Sequence, residues 1–308
     1  MKQANKRIDI LGIGVAAVDD LVYLEHYPQP DSKMPVNSSQ RQGGGLTATA
    51  LVAAARQGAK AAYLGRLGDD ELSRYTIGEL EREGVNCSLV VRDPGGKPVH
   101  SIILVDLSTG TRTILYSQIG LSTPDVQSIT QEIISGCRIL FMDHYSGEGG
   151  LHAARIAHQA QIPVVADVEN DEAPGIDELL GLVDHLIVGE GVGGRLSGQK
   201  EPVEMVRALA RPRRACTVVT AGDRGCWFTE NGSDVQHVPA FKIKVVDTTG
   251  CGDVFHGSYA AAIARGEPVC KSVLIASATA GLKAAQPGGR AGIPDLTTAE
   301  NFIKNNGA

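Results

Sequence analysis

The chain has 308 residues, 43% of them hydrophobic, which is enough for one large α/β unit with a small appendage. Its 29 Lys and Arg against 35 Asp and Glu give a formal net charge of −6, which argues against a general nucleic-acid binder. No apolar run reaches the roughly 18 residues of a membrane span, the opening run is too short for a signal peptide, and the six Cys show no Cys-x-x-Cys spacing. Neither a membrane partner nor a zinc or dithiol site is expected, and a cytoplasmic location is.

In chain order, residues 8–14 read as a buried strand with a glycine exit, followed by Asp19, Asp20 and an alternating run at 21–23. Asp19 is either a turn residue or a carboxylate that accepts hydrogen bonds from two neighbouring hydroxyls of a polyol, and it is preferred over Asp20 for that role. Pro28, Pro30 and Ser32 mark a loop, and residues 34–37 read as a short strand. In RQGGGLTATALVAAARQG, the glycines Gly43, Gly44 and Gly45 open an Ala-rich helix that Gly58 ends. They make either a flexible strand-to-helix turn or a close backbone approach to a ligand. Residues 61–65, 99–106 and 112–116 read as strands, the last two around a turn at 108–110, with Arg66 and Asp69 as loop-locking charges.

Short apolar strands at 139–142, 164–166 and 185–188 alternate with helical stretches near 151–161 and 176–180, the spacing of βαβ units in a mostly parallel sheet. His144, His152 and His158 make no metal-binding pattern. Glu190 opens the next helix. A strand at 216–220 ends on Thr220 and leads into a turn with Gly222 and Gly225, after which Trp227 and Phe228 read as packing and 234–237 as a short strand.

The stretch VVDTTGCGDVFHGSYAAAIARG, residues 245–266, is the most informative. A short β-like run passes through Thr248, Thr249, Gly250, Cys251 and Gly252 into an apolar helix. Glycines in such a turn let backbone N–H groups converge, and the helix N-terminus adds partial positive charge, which makes a site for phosphate. Asp253 either caps the helix or serves as a general base, taking the proton of an attacking hydroxyl while the amides of Gly250, Cys251 and Gly252 hold the phosphoryl group. Another Ala-rich helix follows and ends before Pro287, and residues 299–304 form a short terminal helix. A phosphotransferase accounts for Asp19, the anion turn and Asp253 together. A binding module that has lost catalysis is one alternative. A dinucleotide oxidoreductase is another, but GIGVAAVDD lacks a GxGxxG ending.

DTTGCGD, together with the N-terminal GGGLTATA, resembles the signature of the PfkB or ribokinase family of carbohydrate kinases, and PGGRAGIPD and HVPAFKIKVVDTTGCGDVFHG resemble its sulfofructose kinase branch. The likeness runs from Ile8 to Asp295, with Cys251 where the family usually has Ala. It implies one ribokinase-like three-layer α/β/α sandwich over 1–308, with a small β-sheet lid from 18–40 and 97–118 that can build a homodimer. It implies an ATP-dependent kinase acting on a hydroxyl of a small sugar or sugar derivative, with a nucleoside kinase as the alternative acceptor class. Asp19, Gly43 and Gly44 would meet the sugar, with Lys33, Tyr116 and Tyr145 near it. Ala48 replaces the family's sugar-binding Asn, and the two tyrosines stand where the sulfofructose kinase branch has polar contacts. Thr220, Gly222, Gly225, Thr248, Ser277 and Gly281 would flank ATP. Gly189 and Val192 replace the Asn-x-x-Glu motif that organises Mg²⁺, so Glu190 is left as a partial substitute and no metal ligand is assigned. In many relatives carbonyls near Asp247 and in the loop at Gly288 and Gly289 hold a monovalent cation, which makes K⁺ a further expected cofactor.

Overall fold

The computed structural model describes residues 8–109 and 111–306. Gly110, the last residue of the expected turn, lies outside them. The chain runs β1 (Ile8–Ile13), β2 (Ala17–Leu24), β3 (Ser38–Gly44), α1 (Leu46–Arg56), β4 (Ala61–Tyr63), β5 (Arg66–Leu67), α2 (Glu71–Arg82), β6 (Val91–Arg92), β7 (Val99–Asp106) and β8 (Arg112–Ser117). It continues through α3 (Gln131–Ser135), β9 (Cys137–Asp143), α4 (Gly147–Gln159), β10 (Val164–Asp167), α5 (Ile176–Leu182), β11 (His185–Gly189), α6 (Glu190–Ser197) and α7 (Pro202–Leu209). The last elements are β12 (Cys216–Thr220), β13 (Cys226–Glu230), β14 (Gln236–Val238), α8 (Cys251–Ala264), α9 (Val269–Ala284) and α10 (Leu296–Asn305).

The main sheet has the order β14-β13-β12-β11-β10-β9-β1-β4, parallel from β4 to β12 with β13 and β14 antiparallel at one edge. Parallel strands are covered by helices on both faces, so their sequences are continuous apolar runs such as IDILGI and RILFM. Alternate residues of those runs serve two cores. Ile10, Phe141, Val165 and Ile187 pack with Leu51, Val254, Phe255 and Val273 from α1, α8 and α9. Leu11, Leu140, Ala166 and Leu186 pack with Leu151, Leu179 and Val206 from α4, α5 and α7. The result is a ribokinase-like α/β/α sandwich. No helix among the described residues is long and apolar enough to cross a membrane.

A second sheet, β3-β2-β7-β8, forms the lid. β2 pairs in parallel with β7, and both outer strands are antiparallel. Three local expectations change here. Residues 34–37 are not a strand; pairing begins at Ser38 and carries on through Gly43 and Gly44, so those glycines lie in a strand and only Gly45 turns. Asp19 and Asp20 sit within β2 rather than in a turn. Residues 245–247 do not pair as a strand, and Val245 and Val246 are each 56% exposed. Instead the Val246 and Asp247 amides donate to the Ala284 carbonyl at the end of α9.

Candidate active site

Parallel strands present their carboxyl ends along one edge, and ligands of open α/β sheets bind there, where the strand order reverses. The reversal lies at β1, which has β4 on one side and β9 on the other. The chemistry-bearing residues collect at this edge: Gly14 after β1, Asp143 ending β9, Asp167 ending β10 and Thr220 ending β12. A cavity of about 450 Å³ lined by Asp9, Gly58, Arg138 and Arg265 opens at the opposite, amino end of the strands and does not belong to the site.

The turn from Thr248 to Gly252 leads directly into α8. Gly250 caps α8 at φ 73°, and its position is pressed so close to the Gly289 carbonyl that a Cβ would stand 2.9 Å from that oxygen. A left-handed residue at this approach has to be glycine. The Cys251 amide donates within the turn to the Thr248 carbonyl at 3.2 Å, so it is not a free member of an anion hole. The Gly250 and Gly252 amides donate to no acceptor among the described residues, as expected at the first turn of a helix. The Cys251 thiol points away, 3.6 Å from the Ala280 carbonyl.

Asp253, in the first turn of α8, accepts no hydrogen bond among the described residues. Burial pushes its carboxyl well above the usual carboxylate range, and the neighbouring Asp167 and Glu169 push it the same way, against His256 and Arg290. Asp167 is itself raised by burial, Glu169 and Asp143. Its Oδ2 is buried without a hydrogen bond, 3.4 Å from His256 Nδ1. The His256 ring spans from the Gly252 carbonyl at 2.7 Å to the Ile187 carbonyl at 3.1 Å, so it ties the first turn of α8 to β11. A carboxylate with a raised pKa is a stronger proton acceptor than an ordinary one.

Across the cleft, Asp19 projects from β2 beside Ser101 of β7, which bonds its carboxyl. Burial raises its pKa, while Ser101 and the Arg290 charge oppose that shift. Asp20 faces the other way and is consumed by Arg41, in a two-pronged bond at 2.7 and 2.9 Å, and by His100 at 2.8 Å. Asp20 is thus engaged by two basic side chains, whereas Asp19 is bonded by Ser101 alone among the described residues. Gly44 and Gly43 lie close against two side chains: a Cβ on Gly44 would meet Asp19 Oδ2 at 2.1 Å, and one on Gly43 would meet Arg290 Nη1 at 2.2 Å, so either substitution would displace that side chain.

Arg290 went unremarked in the sequence. It is 6% exposed, donates from Nη2 to the Gly44 carbonyl at 2.7 Å and from Nε to Thr49 Oγ1 at 3.1 Å, and leaves Nη1 buried without a partner. Its charge acts on both Asp19 and Asp253. Asp143 was also missed. It is fully buried and accepts from the Val15 amide, the Thr47 amide and hydroxyl, and the Tyr145 amide, fixing the exit of β1 against the start of α1.

The remaining expected residues divide. Tyr145 lies at the mouth, its hydroxyl accepting from Gln118 at 3.2 Å, and Tyr116 is 62% exposed on the edge strand β8. Lys33 is exposed in the loop before β3 and makes no hydrogen bond or ion pair among the described residues, so nothing brings it to the cleft. Glu190 is paired with Arg224. Thr220 ends β12, Gly222 and Gly225 bound the turn after it, and Thr248 lies on the turn before α8. Gly225 packs against Val238 and Ala240, Ser277 Oγ lies 3.7 Å from Cys226 Sγ, and Gly281 faces Phe241 and Ile243. These contacts pack β13 and α9 against the 238–243 segment. Arg112 of the lid reaches to 3.8 Å from Asp247 at the same turn.

The glycine turn that opens α8, the Asp253 carboxylate without a hydrogen bond and Asp19 beneath the β lid all sit on a ribokinase-like α/β/α sandwich. The chain belongs to the pfkB family of carbohydrate kinases, whose profile matches residues 9–296. It is 27% identical over 304 residues to the bifunctional ribokinase/ribose-5-phosphate isomerase A of Fructilactobacillus sanfranciscensis, covering 96% of this chain but 56% of that longer protein. It is 28% identical to the ribokinase of Schizosaccharomyces pombe, covering 85% of this chain and 87% of that one. A solved structure of a ribokinase-type protein from Agrobacterium tumefaciens superposes with a TM-score of 0.89 at 27% identity, over 97% of this chain and 98% of the other.

Proposed function

We propose that the chain transfers the γ-phosphoryl group of ATP to a hydroxyl of a small sugar or sugar derivative. The observation that carries this reading is Asp253: a half-buried carboxylate with no hydrogen-bond partner among the described residues, set beside two unengaged amides at a helix N-terminus. An acid in a resting phosphate site would repel its ligand, whereas an acid that takes a proton from the attacking hydroxyl is needed there. Asp19 accepts hydroxyls of the sugar and turns one toward Asp253. The Gly250 and Gly252 amides receive the charge that gathers on the transferred group, and their fixed aim gives them more effect than water would have. ATP lies along the residues from Thr220 to Gly281 that the resemblance assigns to it.

Among the described residues no cluster of three acids, histidines or cysteines could cage a metal, and Glu190 is tied to Arg224. The orphaned Asp167 Oδ2 and its neighbour Glu169 fit a hydrated Mg²⁺ that arrives on the ATP phosphates and is held chiefly by them. Bound there, the ion would neutralise phosphate charge.

For the acceptor, the ribokinase relatives favour an unphosphorylated sugar. Sulfofructose is less favoured: the tyrosines at 116 and 145 lack a guanidinium's charge and fork of donors, and Lys33 is an exposed loop residue. The outer lid exposes Ile114, Leu115 and Ile119, which supports a homodimer through this sheet, to be checked by sedimentation. The test of function is ADP release with Mg²⁺ against ribose, fructose, 2-keto-3-deoxygluconate, fructose 6-phosphate, sulfofructose and adenosine. Strong turnover of one sugar is expected. Turnover of adenosine with none of the sugars would overturn the reading.

A further inference from the structure

We propose that Lys283 is the chain's own monovalent cation for the phosphate turn: its ammonium, held between the carbonyl oxygens of Asp247 and Thr249, aims the Gly250 amide at the phosphoryl group and replaces a K⁺ ion. The inference rests on reading the turn at Gly250 and Gly252 as the anion hole.

Lys283 lies in the last turn of α9 and is 0% exposed. Lysine is almost never fully buried unless it is paired, because its ammonium is strongly hydrated. Here the partners are backbone carbonyls: Nζ donates to the Asp247 oxygen at 2.9 Å and also to the Thr249 oxygen. The Asp247 carboxylate is occupied elsewhere, accepting from the Thr249 amide at 2.8 Å and the Gly288 amide at 2.9 Å. One residue's side chain thus clamps the turn to the 288 loop, while Lys283 holds the same turn from inside through its carbonyls.

Geometry converts that grip into an effect on catalysis. A trans peptide is planar, with its C=O and N–H pointing in opposite directions. The Thr249 carbonyl and the Gly250 amide belong to one peptide unit. A carbonyl fixed on Lys283 therefore fixes the Gly250 N–H away from Lys283, out toward the phosphate side. Without a cation behind it, nothing else among the described residues receives the Thr249 oxygen, and the peptide is free to rotate.

The resemblance carries K⁺ as an expected cofactor, and converging carbonyls are what such an ion needs. The residues present do not fit it: the position between the Asp247 and Thr249 oxygens is filled by Nζ, which brings the same single positive charge.

The test uses the full chain, with thermal midpoint and ADP release measured in KCl, NH₄Cl and choline chloride at equal ionic strength. Wild type should show the same midpoint and less than about twofold difference in kcat across the three salts. Lys283→Ala removes the charge and leaves room for an ion; its kcat should fall by about 10²-fold, the scale of losing one oxyanion donor, with K⁺ and NH₄⁺ restoring activity and raising the midpoint saturably. Lys283→Met removes the charge but fills the space, and should respond to neither ion. A wild type that requires or is specifically stabilised by K⁺ overturns the proposal, whether or not the variants fold. So does a folded Lys283→Ala protein indifferent to K⁺. If no acceptor is turned over, the reading of the turn as a kinase site fails, while the midpoints still decide the role of Lys283.

Discussion

Replacing Asp253 with Asn separates the two roles open to it, because they predict opposite effects on stability. As a base, its loss should lower kcat by about 10²–10⁴-fold, or about 3–5 kcal/mol of transition-state stabilisation, with ATP affinity near that of wild type. As a carboxyl raised by burial, Asp167 and Glu169, it also weakens the fold at neutral pH. A carboxyl whose pKa is higher in the folded than in the unfolded chain binds its proton more tightly when folded. Stability is then greatest below the unfolded value, near 3.8, and falls as pH rises through the raised folded value. Asn does not titrate, so the variant should match wild type near pH 3.8 and exceed it at pH 8. Each unit of raised pKa is worth about 1.4 kcal/mol, and 1 kcal/mol moves the melting temperature of a chain this long by about 2 °C. The variant should therefore melt higher at pH 8. The α8 dipole opposes this by about 0.3–1 kcal/mol, less than one unit's worth. Kinetics of ADP release and thermal scans at pH 4, 6 and 8 make the measurement. An Asn variant that keeps wild-type kcat sinks the base. One that melts lower than wild type at pH 8 shows that the carboxylate serves the helix, not the reaction.

Three further outcomes follow from the same geometry. Asp19→Ala should raise the sugar's KM by about 10-fold or more, the loss of a charge-assisted bond, and leave ATP binding by calorimetry unchanged; equal losses for both ligands would make Asp19 structural. Cys251→Ala should keep kcat within about twofold, since the thiol's one hydrogen bond among the described residues is a weak one to the Ala280 carbonyl at 3.6 Å and alanine is a small volume change; a large loss in folded protein would reveal a thiol role. Gly43→Ala should lower both stability and sugar affinity because its Cβ would meet Arg290 Nη1 at 2.2 Å, and a variant as stable as wild type would show that Arg290 can move aside.

The main sheet was legible because buried parallel strands write themselves as apolar runs: 139–142 and 185–188 in the sequence became Cys137–Asp143 and His185–Gly189. Val99–Asp106 was legible to the residue, as alternation between a covered and an open face. What failed was pairing that side chains do not announce. Ser38–Gly44 reads as polar residues and glycines, yet it pairs along β2 because the inner end is held by Arg290 and Asp19. The 245–247 run is β-branched but spends its amides on Ala284, so propensity yielded to a tertiary hydrogen bond. Lys283 offered a signal that went unused: it is the single charge between Lys271 and Arg290, in a helix otherwise apolar or small.

Arg290 explains why the two halves of the site cannot be read separately. Its own amide follows Gly289, whose carbonyl presses on Gly250, and Gly288 is bonded to Asp247; the loop that carries the guanidinium therefore also braces the anion turn. The guanidinium itself grips Gly44 and Thr49, where the lid strand enters α1. Gly44, Arg290, the 288–290 loop and Gly250 thus form one chain of contacts from the lid to the turn. The same cation lowers the pKa of both Asp19 and Asp253, so a change at one carboxylate is felt at the other through a shared neighbour. Interacting residues that share a partner do not act additively. Asp19 and Asp253 substitutions combined should then depart from the sum of their separate effects on stability, whereas two acids with no common cation would add.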